Sequence, residues 1–438
     1  MHTPRTEPAD ALAAAPPMGW NSWDCYGASI TEQQFKDCAR RLAERLLPFG
    51  WQYAVIDIQW FQPDPPQSRY PASDDLCIDE YGRYLPAPNR FPSASGGRGF
   101  APLAEFAHSL GLKFGVHMLR GVPRLAVERG LPILGTDVSA ADVADHSRGC
   151  AWHENTWGMD MSRPGAQEYY DSVARLYAAW GVDYVKADDM CPPRDRDEIA
   201  GLSAALARCG RPIVLSLSGI TPVEEADLVK EHAHLWRISN DLWDVWAEHD
   251  PGQDWTATVK GQFDLCARWA RHAGPGHWPD PDMLPLGRIC LKGQQGPERD
   301  SRLTPDEQRT VITLWSISRS PLMFGGDPLS LDPFTLSLLT NQEVLAVNQR
   351  GARPRQLWRR DHRIAWASEA PEGGKHLALF NVGDEGPAPI EVEAADLGLS
   401  GRCSVRDLWA GEDLPDCEGR FSATVEGHGA GLYRLAPR

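Results

Sequence analysis

The chain has 438 residues, and 44 Lys and Arg against 60 Asp and Glu leave a formal net charge of −16. An acidic balance of that size repels phosphate backbones and anionic lipid, which argues against nucleic acid as a partner. With 42% hydrophobic and 24% charged residues, and no uninterrupted apolar run near bilayer length, the composition is that of a globular protein with no membrane span.

The first fifteen residues carry Arg5 but also Glu7 and Asp10, and their alanines are too interrupted for a signal-peptide core, so a cytoplasmic protein is expected. From residue 16 to 341, short β-type runs alternate with amphipathic helical stretches, the pattern of parallel strands joined by crossover helices. Strands are expected at 17–20, 53–57, 113–118, 183–187, 213–216, 235–239, 278–283 and 322–324. The first helix, 31–47, repeats Phe35, Cys38, Leu42 and Leu46 behind a Thr31-x-x-Gln34 capping box. Further helices are expected at 166–180, 198–209, 261–272 and 305–318, with Gly181 and Gly210 where a helix end favours a left-handed residue. Eight such units point to an α/β fold, a TIM-type (β/α)8 barrel over residues 16–348. An open doubly wound sheet is the alternative, weakened because no G-x-G-x-x-G follows the first strand. The Pro/Gly-rich stretches 62–66 and 93–99 fall after the second strand and are expected to be long loops on the active-site face. Beyond Asn348-Gln349-Arg350-Gly351 the pattern changes to short strands at 356–359, 364–368, 376–380, 390–394, 403–408 and 431–435. This predicts a small all-β antiparallel sandwich over residues 351–438.

In a barrel, polar residues at the carboxyl ends of strands point into the mouth. Asp57, Asp188, Asp189, Asp241 and Asp282 all fall at such ends. A carboxylate closing an apolar strand costs desolvation unless it is paired or used, although any one of them equally serves as a helix N-cap. Trp20, Trp60, His117, Arg120, Lys186, Arg237, Trp236 and Trp278 accompany the acids, the last two tryptophans being expected in the core. A sugar site needs a stacking face, fixed hydrogen-bonding groups and two carboxyls flanking the anomeric carbon, and each of these is represented. The ten cysteines include no C-x-x-C pair, and His146, Cys150 and His153 match no metal template, so a structural role and no metal are expected.

In order along the chain, Pro16-Pro-Met-Gly-Trp20-Asn-Ser-Trp23, Val55-Ile-Asp57, Gly111-Leu-Lys-Phe-Gly115, Gly181-Val-Asp-Tyr-Val-Lys186-Ala-Asp188, Trp236-Arg237-Ile-Ser-Asn-Asp241 and Gly274-Pro-Gly-His-Trp278-Pro-Asp-Pro-Asp282-Met-Leu form a series. That series resembles the signatures of the α-galactosidases and α-N-acetylgalactosaminidases of glycoside hydrolase family 27, from residue 16 to about 348. The resemblance implies a (β/α)8 barrel followed by an antiparallel β domain. It also implies a retaining, exo-acting α-glycosidase that takes a glycoside or oligosaccharide and needs no cofactor. Carried over position by position, Asp188 is the nucleophile and Asp241 the general acid/base, a pair that must lie about 5–5.5 Å apart in a retaining enzyme. Lys186 would keep the nucleophile anionic, Arg237 would orient a carboxylate or hydroxyl, and Asp57 would accept from hydroxyls on the far side of the sugar. Trp20 would stack, Asp282 would line the pocket, and Trp60, His117, Arg120 and Ser218 complete the expected substrate contacts.

Four departures from the family's pattern bear on the sugar. The usual second acid after Asp57 is Ile58, which removes a carboxylate from the C4 and C6 region of galactose. A tyrosine common on the third strand is replaced by His117. The small Ser218 leaves room for an N-acetyl group. The cysteine after the nucleophile motif is displaced to Cys191 behind Met190, so the family's local disulfide need not form. α-Galactosidase activity is the leading expectation. α-N-acetylgalactosaminides, β-L-arabinopyranosides and α-1,6-glucosides are alternatives for the same chemistry, and a non-catalytic carbohydrate-binding barrel is an alternative to it. A homo-oligomer is left open.

Overall fold

The computed structural model describes residues 12–67, 69–248 and 254–438. Eight strands run parallel in one sheet: β1 Met18–Asn21, β2 Tyr53–Ile56, β3 Lys113–Leu119, β4 Tyr184–Asp188, β5 Val214–Ser218, β6 Leu235–Arg237, β7 Trp278–Asp280 and β8 Leu322–Phe324. Each pairs with its chain neighbour, and β1 pairs with β8. The last gap is closed just beyond β7. There Leu284 forms a parallel bridge with Phe324, its N–H donating to Met323 O at 2.8 Å and its carbonyl accepting from Gly325 N at 3.0 Å. The eight expected strands are thus all present, in a TIM-type barrel.

Helices cross between them: α1 Glu32–Arg45, α2 Ala101–Ser109, α3 Ala166–Ala179, α4 Arg196–Arg208, α5 Ala226–His232, α6 Val259–Trp269 and α7 Pro305–Ser318, with α8 Pro333–Thr340 and α9 Gln342–Arg350 after β8. The capping box at α1 forms as its sequence predicts: Gln34 N donates to Thr31 Oγ1 at 3.4 Å and Thr31 N donates to Gln34 Oε1 at 3.0 Å. Gly181 and Gly210 take φ values of 80° and 85°, the left-handed conformation that ends α3 and α4. Inside the lower barrel, Tyr53, Val55, Tyr184, Val214, Leu235, Trp278 and Met323 from different strands share one buried cluster. This packed plug fills the lower barrel.

After α9 the chain forms eight antiparallel strands: β9 Ala352–Arg360, β10 Arg363–Glu369, β11 Lys375–Asn381, β12 Ala388–Glu393, β13 Arg402–Asp407, β14 Glu412–Glu418, β15 Arg420–Val425 and β16 Ala430–Pro437. Their order is β9-β10-β11-β16-β13-β14-β15-β12. Residues from both halves of that order, Leu377 and Leu379 of β11 with Ile390 and Val392 of β12, share a second buried cluster, so the sheet folds over on itself. The opposite face of β10 and β11 packs on the barrel: Trp366, Ala378 and Phe380 belong to the barrel's cluster, and Phe380 meets Phe263 of α6 edge-on at 5.0 Å. Helix α7 lies between the two bodies, buried on nearly every side from Glu307 to Ser318, as a helix packed against two layers must be.

Candidate active site

One cavity of about 680 Å³ opens at the carboxyl ends of the barrel strands. Residues two apart on a strand share a face, so Lys186 and Asp188 on β4 both point inward, and His117 on β3 lies in register with Lys186. Asp57 just past β2, Ser218 at the end of β5, Arg237 at the end of β6, and Asp241 and Asp282 beyond β6 and β7 complete the group. Asp57, Lys186, Asp188, Ser218, Arg237, Asp241 and Asp282 all line this one cavity.

The floor is a chain of charge-assisted bonds. Lys186 Nζ donates to Asp57 Oδ2 at 2.8 Å, and Asn21 Nδ2 donates to the same oxygen at 2.8 Å. Burial pushes the Asp57 carboxyl up, but the charges of Lys186 and His117 with the hydrogen bonds from Lys186 and the Ile58 N–H together hold the group well below the usual carboxylate range. Burial likewise opposes the Lys186 charge, and Asp57, Asp188 and Asp282 overcome it, keeping the ammonium protonated. Asp188 Oδ1 accepts from the Asp189 backbone N–H at 2.8 Å, and Oδ2 lies 3.1 Å from His117 Nε2, which donates. Burial works against the Asp188 anion too. The His117 bond and charge, with Lys186, reverse the balance and lower its pKa. An ionised carboxylate fixed through both oxygens is what nucleophilic attack on an anomeric carbon requires.

Arg237 organises the opposite wall, with Nη1 2.9 Å from Asp282 Oδ1 and Nη2 3.3 Å from Asp241 Oδ1. Asp282 sits at φ 90° and Asp189 at φ 58°, conformations costly for residues with a side chain that persist where surrounding contacts enforce them. At Asp282 the enforcing contacts are Arg237 and the Leu242 N–H, which donates to Oδ2 at 2.8 Å. Asp241 differs from the other acids. Its side chain is 68% exposed, at the mouth, where a group exchanging protons with a leaving group and with water has to stand.

Four expected contacts are corrected. Trp20 lies wholly inside the protein, its Nε1 donating to Gly326 O at 3.0 Å and its ring packed on Tyr26 and on Phe35 of α1. It faces the helix layer, so its neighbour Asn21 is the β1 residue that reaches the site. Trp60 is equally buried among Phe61, Tyr84, Phe100 and Trp180, with Nε1 donating to His117 O at 2.8 Å. Arg120 lies behind the site, bound to Asp189 Oδ2 and to Glu198 Oε1 at 2.7 Å each, and does not line the cavity. His117 is wholly buried and does not line the cavity either, its imidazole reaching Asp188 from behind the wall. Trp236 and Trp278 are core residues, as expected.

Several lining residues escape the sequence reading: Trp23, Tyr70, Trp152, Ile220, Trp243 and Gln294. Trp23 ends one quoted motif and Trp243 lies two residues beyond another, which is a usable signal. Tyr70 and Trp152 come from long loops with no periodicity. The loops join where Tyr70 bridges His153, where Ser73 N donates to Asn155 Oδ1 at 2.7 Å, and where Asn155 Nδ2 donates to Pro71 O at 3.0 Å. His153 is thereby structural, Nε2 lying 3.1 Å from Gln59 Oε1 and burial pushing its pKa down to about 3. Cys191, which also lines the cavity, is a free thiol like the other nine cysteines. A Cβ at Gly219 would fall 2.5 Å from its Sγ, and Gly219 takes φ 130°, so only glycine fits there.

Comparison with known proteins gives consistent relatives. Residues 154–350 match the family model described as alpha galactosidase A, and residues 361–435 match the alpha galactosidase C-terminal beta sandwich domain. A solved structure of a family 27 β-L-arabinopyranosidase from Geobacillus stearothermophilus is 47% identical, with a TM-score of 0.93 over 98% of each chain. The α-galactosidase I structure from Mortierella vinacea is 25% identical, with a TM-score of 0.75 over 97% of this chain and 98% of that one. An α-galactosidase from Coffea arabica is 29% identical over 448 aligned positions, spanning 100% of this chain and 98% of its own.

Proposed function

Because the chain belongs to glycoside hydrolase family 27, we propose that it is an exo-acting, retaining β-L-arabinopyranosidase for which α-D-galactosides are the weaker substrates. The observation that carries this reading is Ile58, an apolar side chain on the cavity wall immediately after Asp57. The two sugars share the configuration of every ring hydroxyl and differ in the hydroxymethyl group that galactose carries at C5. An isoleucine packs well against a ring methylene and offers a hydroxymethyl no partner. Enclosing an unpaired hydroxyl costs about 1–3 kcal/mol, roughly 5- to 150-fold in kcat/KM. The 47% identity to an arabinopyranosidase, against 29% to a plant α-galactosidase, supports the same choice.

In the proposed reaction Asp188 attacks the anomeric carbon as the glycosidic C–O bond breaks, and Asp241 gives its proton to the departing oxygen. Asp241, now a carboxylate, takes a proton from water as that water attacks the glycosyl–Asp188 ester, restoring both acids with net retention. Asp57 and Lys186 fix hydroxyls on the far side of the ring.

Hydrolysis of 4-nitrophenyl β-L-arabinopyranoside and α-D-galactopyranoside, with the product anomer followed by NMR, tests the proposal. The expected result is retention, with kcat/KM at least about fivefold higher on the arabinopyranoside. Ile58→Asp should move the preference toward galactose. A wild-type preference for the galactoside would overturn the choice of sugar, and inversion would overturn the mechanism.

A further inference from the structure

We propose that the cavity mouth carries a built leaving-group subsite, formed by Trp152 and Ile220, that takes an uncharged ring presenting a flat apolar face. The inference rests on the glycosidase reading above and extends it to the other half of the substrate.

The buried part of the cavity, with Asp57, Ile58, Lys186, Asp188 and Arg237, suits the sugar that is cleaved. The leaving group must therefore project past Asp241, whose carboxyl stands exposed at the mouth. Trp152 and Ile220 share that mouth, 41% and 38% exposed. They are two of only four large hydrophobic side chains so exposed among the described residues, and an apolar pair kept in water beside an active site marks a contact surface.

Both are held in place. Trp152 meets Tyr70 edge-on at 6.1 Å and His153 at 5.8 Å, on the joined loops described above. Ile220 lies between Gly219, pinned against Cys191, and Thr221, whose N–H donates to Arg237 O at 3.0 Å. Ordering these side chains in advance lowers the entropic cost of binding. The cavity lining holds five carboxylates against three cations, so an anionic leaving group is disfavoured there. A neutral ring with a flat face is what remains, and a second sugar and an aromatic ring both have one.

The test compares wild type, Trp152→Ala, Trp152→Phe and Ile220→Ser on three β-L-arabinopyranosyl donors: the fluoride, whose leaving group has no ring, the 4-nitrophenyl glycoside, and a disaccharide ending in glucose. In Trp152→Ala the ratio of kcat/KM for a ring-bearing donor to that for the fluoride should fall about tenfold, the worth of one stacked ring. Trp152→Phe should restore most of it, and Ile220→Ser should lower it more modestly. A fall confined to the nitrophenyl donor identifies an aromatic leaving group, and a fall on the disaccharide identifies a sugar. Ratios unchanged in Trp152→Ala would overturn the subsite. If wild type turns over only the galactosyl series, the reading of the cleaved sugar fails, and the ratios measured on galactosyl donors still decide the subsite.

Discussion

The hydrogen bond from buried His117 is the largest single support of Asp188 as an anion. Removing the His117 bond takes away the interaction that most favours the Asp188 anion, so in His117→Phe the acid limb of kcat/KM should move to higher pH. A limb that stays in place, or moves to lower pH, would contradict that role. The two acids should separate by leaving group. Asp188→Ala should abolish turnover of every donor. Asp241→Ala should lose about 10² to 10⁴-fold on a disaccharide and far less on a glycosyl fluoride, whose departure needs no proton. Circular dichroism of both variants checks that the fold survives. The residues named from sequence divide by the kind of signal they had. Acids at strand ends were legible because a carboxylate closing an apolar run is costly without a purpose. Trp20 is assigned to stacking by the family resemblance alone, and because β1 is buried on both faces its sequence does not tell which of Trp20 and Asn21 points into the barrel.

At the scale of elements, Arg120 ties the end of β3 to the start of α4. Its guanidinium holds Asp189 and Glu198 at 2.7 Å and lies 3.6 Å from Asp195, and Tyr170 of α3 donates to Glu198 Oε2 at 2.8 Å. Deleting one member of such a buried group strands the others, so Arg120→Met should destabilise the protein by about 3–5 kcal/mol in urea unfolding. Arg120→Lys should recover little of this, because one ammonium cannot replace a two-sided fork. A loss under about 1 kcal/mol in Arg120→Met would show that the network carries no weight. Barrel strands and their capped helices were legible from pattern alone. Strand β14 was not, because its sequence EDLPDCE is acidic and contains Pro415, and its pairing with β13 is imposed by tertiary context. The joined loops bearing Tyr70 and Trp152 were invisible for a related reason: their contacts are between segments some eighty residues apart and leave no local period.

For the molecule as a whole, barrel and C-terminal sheet share one core. Trp409 Nε1 donates to Thr313 Oγ1 of α7 at 2.9 Å, and Arg406 grips Glu343 of α9 through Nε at 2.6 Å and Nη2 at 2.8 Å. With Phe380 and Trp366 buried against the barrel, removing the sheet would expose apolar surface on α6 and α7. Calorimetry should accordingly record one cooperative unfolding transition, and two resolved transitions would show independent domains.

Closure of the ring through β1 and β8 also sets a timetable for biosynthesis. Met18 pairs with Leu322, so the first strand leaves the ribosome roughly 300 residues ahead of the neighbour that covers its free edge. At about 5–20 residues per second this edge waits on the order of 15–60 seconds, and the sheet that seals α7 arrives later still. Throughout that interval the nascent chain presents unpaired strand backbone and apolar helix faces, which makes it a client for holding chaperones and makes yield more sensitive to translation speed than to the stability of the finished enzyme.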